Sequence, residues 1–223
     1  MGEQINEAIK AVFFDHDDTL VNSIGTKSAQ HKYIARLYYS KELTDEEIRK
    51  HWGKPLYELF RILYETDDAE MALAHTLTHH EEFPKKIFPE TIPVFRRLHA
   101  AGKILGIITA HDRIGLEHDL TFHEIPRDTI DYTQTSDETS YHKPDKRVFD
   151  PAIAWLKNKG VSPHETIYVA DGLHDMQAAL GAGLNFLGVE TGLVTGEQFR
   201  SHGVESVANI GEVYDWILRL SLS

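Results

Sequence analysis

Residues 11–21 read AVFFDHDDTLV, the most informative stretch of the chain. The apolar run at 12–14 stops abruptly at Asp15, and Asp17 and Asp18 follow at once. Such a run is typical of a buried strand with chemistry at its carboxyl end. Carboxylates this close repel one another unless a cation or a shared proton relieves them. The stretch therefore predicts a divalent metal site whose oxygen ligands favour Mg²⁺, with an acidic turn after a strand as the alternative.

The composition limits the classes of function. The chain has 223 residues, a length that suits one domain or one domain with a sizeable insertion. Its formal net charge of -12 argues against general binding to nucleic acid or to anionic membranes. Small anionic substrates stay compatible with this charge, because a metal and a few local cations override the global field. The absence of cysteine excludes disulfides, thiolate metal sites and cysteine nucleophiles.

The sequence carries no targeting signal that we recognise. The first ten residues, MGEQINEAIK, lack the long apolar stretch of a secretory signal. No run in the chain approaches the roughly 18 apolar residues of a membrane helix. We therefore expect a cytoplasmic protein that is a monomer or a homodimer, with neither nucleic acid nor membrane as a partner.

Apolar periodicity divides the chain into a helical region and an alternating region. From residue 103 onward, strands alternate with helices, with predicted strands at 104–108, 130–133, 166–170 and 186–189 and a last helix at 210–222. This order predicts an α/β fold, a Rossmann-like parallel sheet with helices on both faces. Residues 22–88 show helical spacing and no good strand. They are too long for a simple crossover, so we expect an inserted all-α cap domain at 22–88 and a catalytic core at 1–21 and 89–223.

Polar side chains follow several predicted strands. Thr109 ends the strand at 104–108, and Asp171 ends the strand at 166–170, with Asp175 one helical turn later. Lys143 lies between them on a loop before a helix. In a parallel sheet these strand ends meet the one that carries Asp15. Carboxylates that bind a metal, together with a lysine and a hydroxyl that bind an anion, suit phosphoryl transfer.

These residues resemble four motifs of the haloacid dehalogenase superfamily. Asp15-His16-Asp17-Asp18-Thr19-Leu20 looks like the first motif, DxDxT, and Thr109 after two isoleucines resembles the second. Lys143 in HKPDKRVF resembles the third, and 171–175, DGLHD, is similar to the fourth. The order and the strand context match as well. The region 22–88 resembles the cap of the phosphoglycolate phosphatase and β-phosphoglucomutase branch.

The resemblance implies a role for each matching residue. Asp15 would be the nucleophile that forms an aspartyl-phosphate, and Asp17 would be the general acid and then the general base. Mg²⁺ would be held by the Asp15 carboxylate, the Asp17 main-chain carbonyl and Asp171. Asp175 would be a ligand through water or an orienting group. Thr109 and Lys143 would hold the phosphoryl oxygens.

The function implied is that of a Mg²⁺-dependent phosphatase acting on a small-molecule phosphate monoester. Dehalogenases lack the second acid, so Asp17 indicates a phosphate-handling enzyme. A phosphomutase of the β-phosphoglucomutase type is the alternative, followed by a non-catalytic binding module. Neither the substrate nor the choice between phosphatase and mutase follows from the motifs.

Three positions near the motifs carry further expectations. Asp18 stands where the family often has glycine, and we expect it to point away from the metal. Asp18 receives no catalytic role, whereas Thr19 either caps the turn after the strand or contacts the substrate directly. We expect His111 to begin the helix after Thr109 rather than to contact phosphate. In the cap, we expect Lys54, within His51-Trp52-Gly53-Lys54-Pro55, to contact the substrate beyond its phosphate.

Overall fold

The structure, a computed structural model, describes residues 9–52, 54 and 56–220. The chain divides into two compact units, Met1–Val21 with Ile87–Ser223, and Asn22–Lys86. The second unit interrupts the first in sequence, as an insertion does. We retain as a proposal that the first unit is a catalytic core and the second a cap. Among the described residues, no helix is both long and apolar enough to cross a bilayer.

A six-stranded sheet organises the first unit. Its strands, given in spatial order, are β5 (Tyr132–Gln134), β4 (Ile104–Ile108), β1 (Ala11–Phe14), β6 (Thr166–Ala170), β7 (Asn185–Val189) and β8 (Ser206–Val207). Every neighbouring pair is parallel. The order places β1 between β4 and β6, at the point where the chain switches from one half of the sheet to the other. Ligands of open parallel sheets bind at this point.

Helices of the first unit cover both faces of the sheet. They are α5 (Thr91–Ala100), α6 (Arg113–Phe122), α7 (Asp150–Asn158), α8 (Leu173–Gly181), α9 (Gly196–Ser201) and α10 (Val213–Leu220). Val12 and Phe14 belong to one buried apolar cluster, whereas Ala11 and Phe13 belong to another. Since side chains alternate along a strand, the two clusters lie on opposite faces of β1. The predicted α/β fold with a Rossmann-like parallel sheet is confirmed.

The second unit is built from helices α1 (Ser23–Tyr39), α2 (Asp45–Lys50), α3 (Leu56–Tyr64) and α4 (Ala69–Thr78). Side-chain caps begin three of them, at Asn22, Thr44 and Asp68. Their apolar faces form a separate buried cluster that includes Ile34 and Phe60. This unit therefore has a core of its own.

The structure corrects several element boundaries. Residues at both ends of 22–88 form short strands, β2 (Val21–Asn22) and β3 (Lys86–Ile87), although no strand was expected there. The last helix begins at Val213, because Ile210–Glu212 forms a 3₁₀ turn capped by Asn209. Its expected end at 222 lies outside the described residues. The short elements β8 and α9 were not predicted, since neither is long enough to show a periodic pattern.

Candidate active site

Asp15 follows strand β1 directly and lies at the point where the strand order of the sheet reverses. The backbone N–H of Asp15 donates to the carbonyl of Val169 at 2.9 Å, so the β6 pairing continues one residue past the strand. Asp15 is two residues beyond Phe13, whose partner on β6 is Tyr168. Because alternate residues share a face, Asp15 and Tyr168 lie on the same side of the sheet. The register therefore places a carboxylate over a buried tyrosine.

Lys143 joins two acids and a buried tyrosine that come from three different parts of the chain. Its Nζ lies 2.6 Å from Oδ1 of Asp15 and 2.6 Å from Oδ1 of Asp175. The same ammonium donates to the hydroxyl of Tyr168 at 2.6 Å, and that hydroxyl donates to the carbonyl of Ile108 at 2.8 Å. The ammonium is thus held from several directions, in a place where its charge offsets two carboxylates.

Burial and charge act against each other at this contact. Burial raises the pKa of the Asp15 carboxyl to about 6, with Lys143 opposing the rise and Asp175 adding to it. For Lys143, burial acts to lower the pKa, but the charges of Asp15 and Asp175 outweigh it and hold the pKa well above the usual value. Lys143 therefore stays a cation, and one cation does not neutralise the acids around it.

Asp171 shows the remaining excess of negative charge. Burial, and then the charges of Asp15, Asp175 and Asp18, raise the pKa of its carboxyl to about 8. The charge of Asp18 thus acts on the acid set, even though its carboxylate was expected to point away from the metal. A Cβ added at Gly192 would lie 1.8 Å from Oδ2 of Asp171. Any side chain at this position would therefore displace the carboxylate, so the position requires glycine.

This donor set fits a hard divalent cation. Asp15, Asp171 and Asp175 supply carboxylate oxygens, the ligand type that Mg²⁺ prefers. The raised pKa values of Asp15 and Asp171 mean that their ionised forms need more positive charge than Lys143 provides. A cation would supply it. The part expected for the Asp17 main-chain carbonyl stays a prediction.

Asp17 points to a different partner from the other acids. Its Oδ2 lies 2.7 Å from Nε2 of His111. The helix α6 begins only at Arg113 with Asp112 as its cap, so the expectation that His111 begins this helix is wrong. The backbone N–H of His111 instead donates to Oγ1 of Thr109 at 3.1 Å, in a turn that leaves the ring beside Asp17.

Thr109 lies where the second motif was expected. It is buried at the end of β4, and its N–H donates to the carbonyl of Gln134 on β5 at 3.0 Å. Thr109 and Lys143 both line a cavity of about 150 Å³, together with Gln134 and Tyr141. Their common cavity is compatible with the expected contacts to phosphoryl oxygens, which stay a prediction.

Lys54 belongs to the other compact unit. Within that unit its ammonium pairs with Glu58 one helical turn later, in α3. The neighbouring Gly53 and Pro55 of the expected recognition turn lie outside the described residues. Contact between Lys54 and a substrate stays a prediction.

The sequence analysis did not identify two residues that shape the candidate site. Tyr168 is fully buried and touches both Lys143 and Asp15, although in sequence it is one residue of an apolar strand, TIYVA. Its hydroxyl within that run was the available signal. Gly192 follows β7, and nothing in the sequence distinguishes it from other loop glycines. Both positions gain their meaning from neighbours distant in the chain.

Comparison with protein families identifies a match over most of the chain. Residues 12–189 match the model described as haloacid dehalogenase-like hydrolase. This range includes the described positions of all four expected motifs. It begins within β1 and ends with β7.

Individual relatives and structures agree with this match. A Clostridium perfringens protein provisionally named pyrophosphatase PpaX is 30% identical, over 82% of this chain and 84% of that protein. The glyceraldehyde 3-phosphate phosphatase of Methanothermobacter thermautotrophicus is 27% identical, over 85% of this chain and 89% of that protein. A Thermotoga maritima structure provisionally assigned as a beta-phosphoglucomutase has a TM-score of 0.78 at 20% identity, covering 94% of this chain and 99% of that one. The last similarity speaks for the fold alone.

Proposed function

Because the chain belongs to the haloacid dehalogenase-like hydrolase family, we propose that it is a Mg²⁺-dependent phosphatase of small phosphorylated metabolites that works through an aspartyl-phosphate on Asp15. The observation that carries the proposal is the position of Lys143, with Nζ 2.6 Å from a carboxylate oxygen of both Asp15 and Asp175. A nucleophile beside a fixed cation and further acids suits the transfer of a phosphoryl group.

The first half of the reaction forms a bond between Asp15 and phosphorus. A carboxylate oxygen of Asp15 attacks, and the bond from phosphorus to the leaving oxygen breaks. Asp17 donates a proton to that oxygen, so the product leaves as an alcohol. Lys143 offsets the negative charge of the phosphoryl oxygens, which would otherwise be repelled by the acids.

The second half returns the enzyme to its starting state. Asp17, now ionised, takes a proton from a water molecule, whose oxygen attacks phosphorus. The bond between phosphorus and Asp15 breaks, and inorganic phosphate is released. Asp15, Asp171 and Asp175 would hold Mg²⁺, which supplies charge neutralisation of the transferred group. Thr109 would orient that group by a hydrogen bond.

Inorganic pyrophosphate is a second candidate substrate. The relative with 30% identity is named a pyrophosphatase, and a phosphate leaving group obeys the same chemistry as an alcohol. Phosphate release from a panel of phosphorylated sugars, short phosphorylated acids, pyrophosphate and p-nitrophenyl phosphate would test the proposal. We expect release only with Mg²⁺. Transfer to a second hydroxyl without free phosphate would instead indicate a mutase.

The nucleophile is tested by Asp15→Asn, which keeps the shape of the side chain and removes its charge. We expect turnover to fall by about a thousandfold or more, as for the loss of other catalytic nucleophiles. The circular dichroism spectrum should be unchanged. Asp128→Asn, at an exposed aspartate of the same unit, serves as the control. Near-normal hydrolysis by Asp15→Asn would contradict the assignment.

A further inference from the structure

A second group of metal-ligating side chains includes His111, whose Nε2 lies 2.7 Å from Oδ2 of Asp17. One ligand atom each from His16, His111 and Asp119 lies within 4.8 Å of the others. Nε2 of His16 is 3.7 Å from Oδ2 of Asp119. The two imidazole rings meet edge to face, with centroids 5.4 Å apart. The resemblance to the four motifs implies no catalytic or metal-binding role for any of these three residues.

The backbone holds each of the three in place. The carbonyl of His16 accepts the N–H groups of Leu20 at 2.9 Å and Val21 at 3.2 Å, which fixes the turn after β1. Asp119 is buried on α6, one turn after Gly115. A Cβ added at Gly115 would lie 2.9 Å from Nδ1 of His111, so this glycine makes room for the ring beside the helix.

We propose that His16, His111 and Asp119 form a second metal site that binds a divalent transition-metal ion such as Zn²⁺. Two imidazoles and one carboxylate favour Zn²⁺ and its neighbours, whereas Mg²⁺ prefers an all-oxygen set. Ligands around a tetrahedral Zn²⁺ lie about 3.4 Å from one another, given bonds of about 2.0–2.1 Å. The 3.7 Å between His16 and Asp119 is close to that span. Small side-chain rotations would complete the site.

The position of His111 predicts a consequence for activity. Its side chain is 28% exposed, which offers an ion a path from solvent, and it contacts Asp17 at 2.7 Å. An ion held by His111 lies beside Asp17 and attracts its carboxylate away from a substrate's leaving oxygen. The site is therefore inhibitory. The inhibition of catalysis rests on the proposed function, whereas the binding of the ion does not.

Binding is tested on the full chain in excess Mg²⁺, which keeps the carboxylate set filled. Isothermal titration with Zn²⁺ and the visible absorption of added Co²⁺ should both report one ion per chain. We expect each of the substitutions Asp119→Asn and His111→Asn to weaken Zn²⁺ binding by at least about tenfold. His111 is partly exposed, so its replacement should disturb the fold little. His99→Asn, at an exposed histidine of the same unit, should bind as the wild type does. Unchanged affinity in both cluster variants, or no Zn²⁺ binding in excess Mg²⁺, would overturn the site.

Inhibition is measured with p-nitrophenyl phosphate at fixed Mg²⁺ and rising Zn²⁺. The wild type and His99→Asn should lose activity over the range in which Zn²⁺ binds, and Asp119→Asn should need a correspondingly higher concentration. Equal sensitivity in Asp119→Asn would contradict inhibition through this site. If no variant or wild type hydrolyses any phosphate compound but Zn²⁺ binding follows the expected pattern, the proposed function fails and the metal site stands.

Discussion

Among single residues, Asp171 is an acid whose ionisation the fold opposes more strongly than that of Asp15. Its pKa rises from 3.8 to about 8, first because the carboxyl is buried and then because Asp15, Asp175 and Asp18 surround it with like charge. A buried carboxyl among other acids does not stabilise the fold, so its presence points to a role in function. The ionised carboxyl is costly in the protein without metal and would become favourable if a cation bound beside it.

Replacing this acid tests its part in metal binding. We expect Asp171→Asn to raise the Mg²⁺ concentration for half-maximal activity by about tenfold or more, since a charged ligand becomes a neutral one. The same change should raise the thermal midpoint of the metal-free protein at about pH 8, because one repelling charge is gone. Activity titrations and thermal melts measure both effects, with Asp128→Asn as the control. An unchanged Mg²⁺ titration would exclude Asp171 as a ligand.

At the scale of elements, the loop after β7 supports the acids from the side. Oγ1 of Thr191 donates to the carbonyl of Asp18 at 2.5 Å, which ties this loop to the turn after β1. Gly192 then passes so close to Asp171 that a Cβ there would lie 2.6 Å from its Cγ as well as 1.8 Å from its Oδ2. The loop thus limits where the Asp171 carboxylate can lie.

A methyl group at this position should therefore disturb the metal site without removing any ligand. We expect Gly192→Ala to weaken Mg²⁺ binding, because Asp171 must rotate or the loop must shift by more than an ångström. Activity should recover in part at high Mg²⁺, which separates this variant from Asp15→Asn. The control is Gly181→Ala on α8, whose added methyl meets the Lys146 side chain no closer than 3.3 Å. Equal Mg²⁺ titrations for the two glycine variants would contradict the argument.

The turn between α2 and α3 carries the expectation about Lys54. If Lys54 contacts the leaving half of the substrate, Lys54→Ala should lower kcat/KM much more for the natural metabolite than for p-nitrophenyl phosphate. The change also removes the pair with Glu58, an exposed contact worth little to stability. Lys50→Ala, at an exposed lysine of the same unit, is the control. Equal effects of Lys54→Ala on both substrates, or none on either, would contradict the role.

Across the whole molecule, the buried acids make stability depend on pH when no metal is bound. The folded-state pKa values of Asp15 and Asp171, about 6 and about 8, lie above the ordinary value of 3.8. Between about pH 4 and pH 8 the folded chain therefore keeps protons that the unfolded chain has released. Proton binding to the folded state stabilises it, so the free energy of unfolding should fall as pH rises through this window.

Denaturant unfolding of the metal-free protein at several pH values measures this slope. We expect Mg²⁺ to restore stability at about pH 8, where the acids are ionised and ready to bind it, and to have little effect at about pH 5. Asp171→Asn should show a shallower fall. If the free energy of unfolding rose between about pH 5 and pH 8 without metal, the raised pKa values of Asp15 and Asp171 would be contradicted.

Local sequence patterns were enough to predict the kind of fold and most of the candidate reacting groups. Strand periodicity and the abrupt polar ends of the apolar runs predicted the parallel sheet, because both patterns depend on neighbours in the chain. The same ends identified Asp15, Thr109 and Asp171 as candidates, and the order of the motifs identified the family. These are local features, and a local pattern is readable without the fold.

The contacts between these groups could not be predicted from the sequence, because they depend on the tertiary structure. The β1–β6 register brings Tyr168 under Asp15, and the β7 loop brings Gly192 against Asp171. His111 was expected to begin a helix, yet its ring lies 2.7 Å from Asp17. The physical reason is the same in each case. Burial, charge crowding and close approach are properties of positions in space, and these positions are fixed by the pairing of strands distant in the chain.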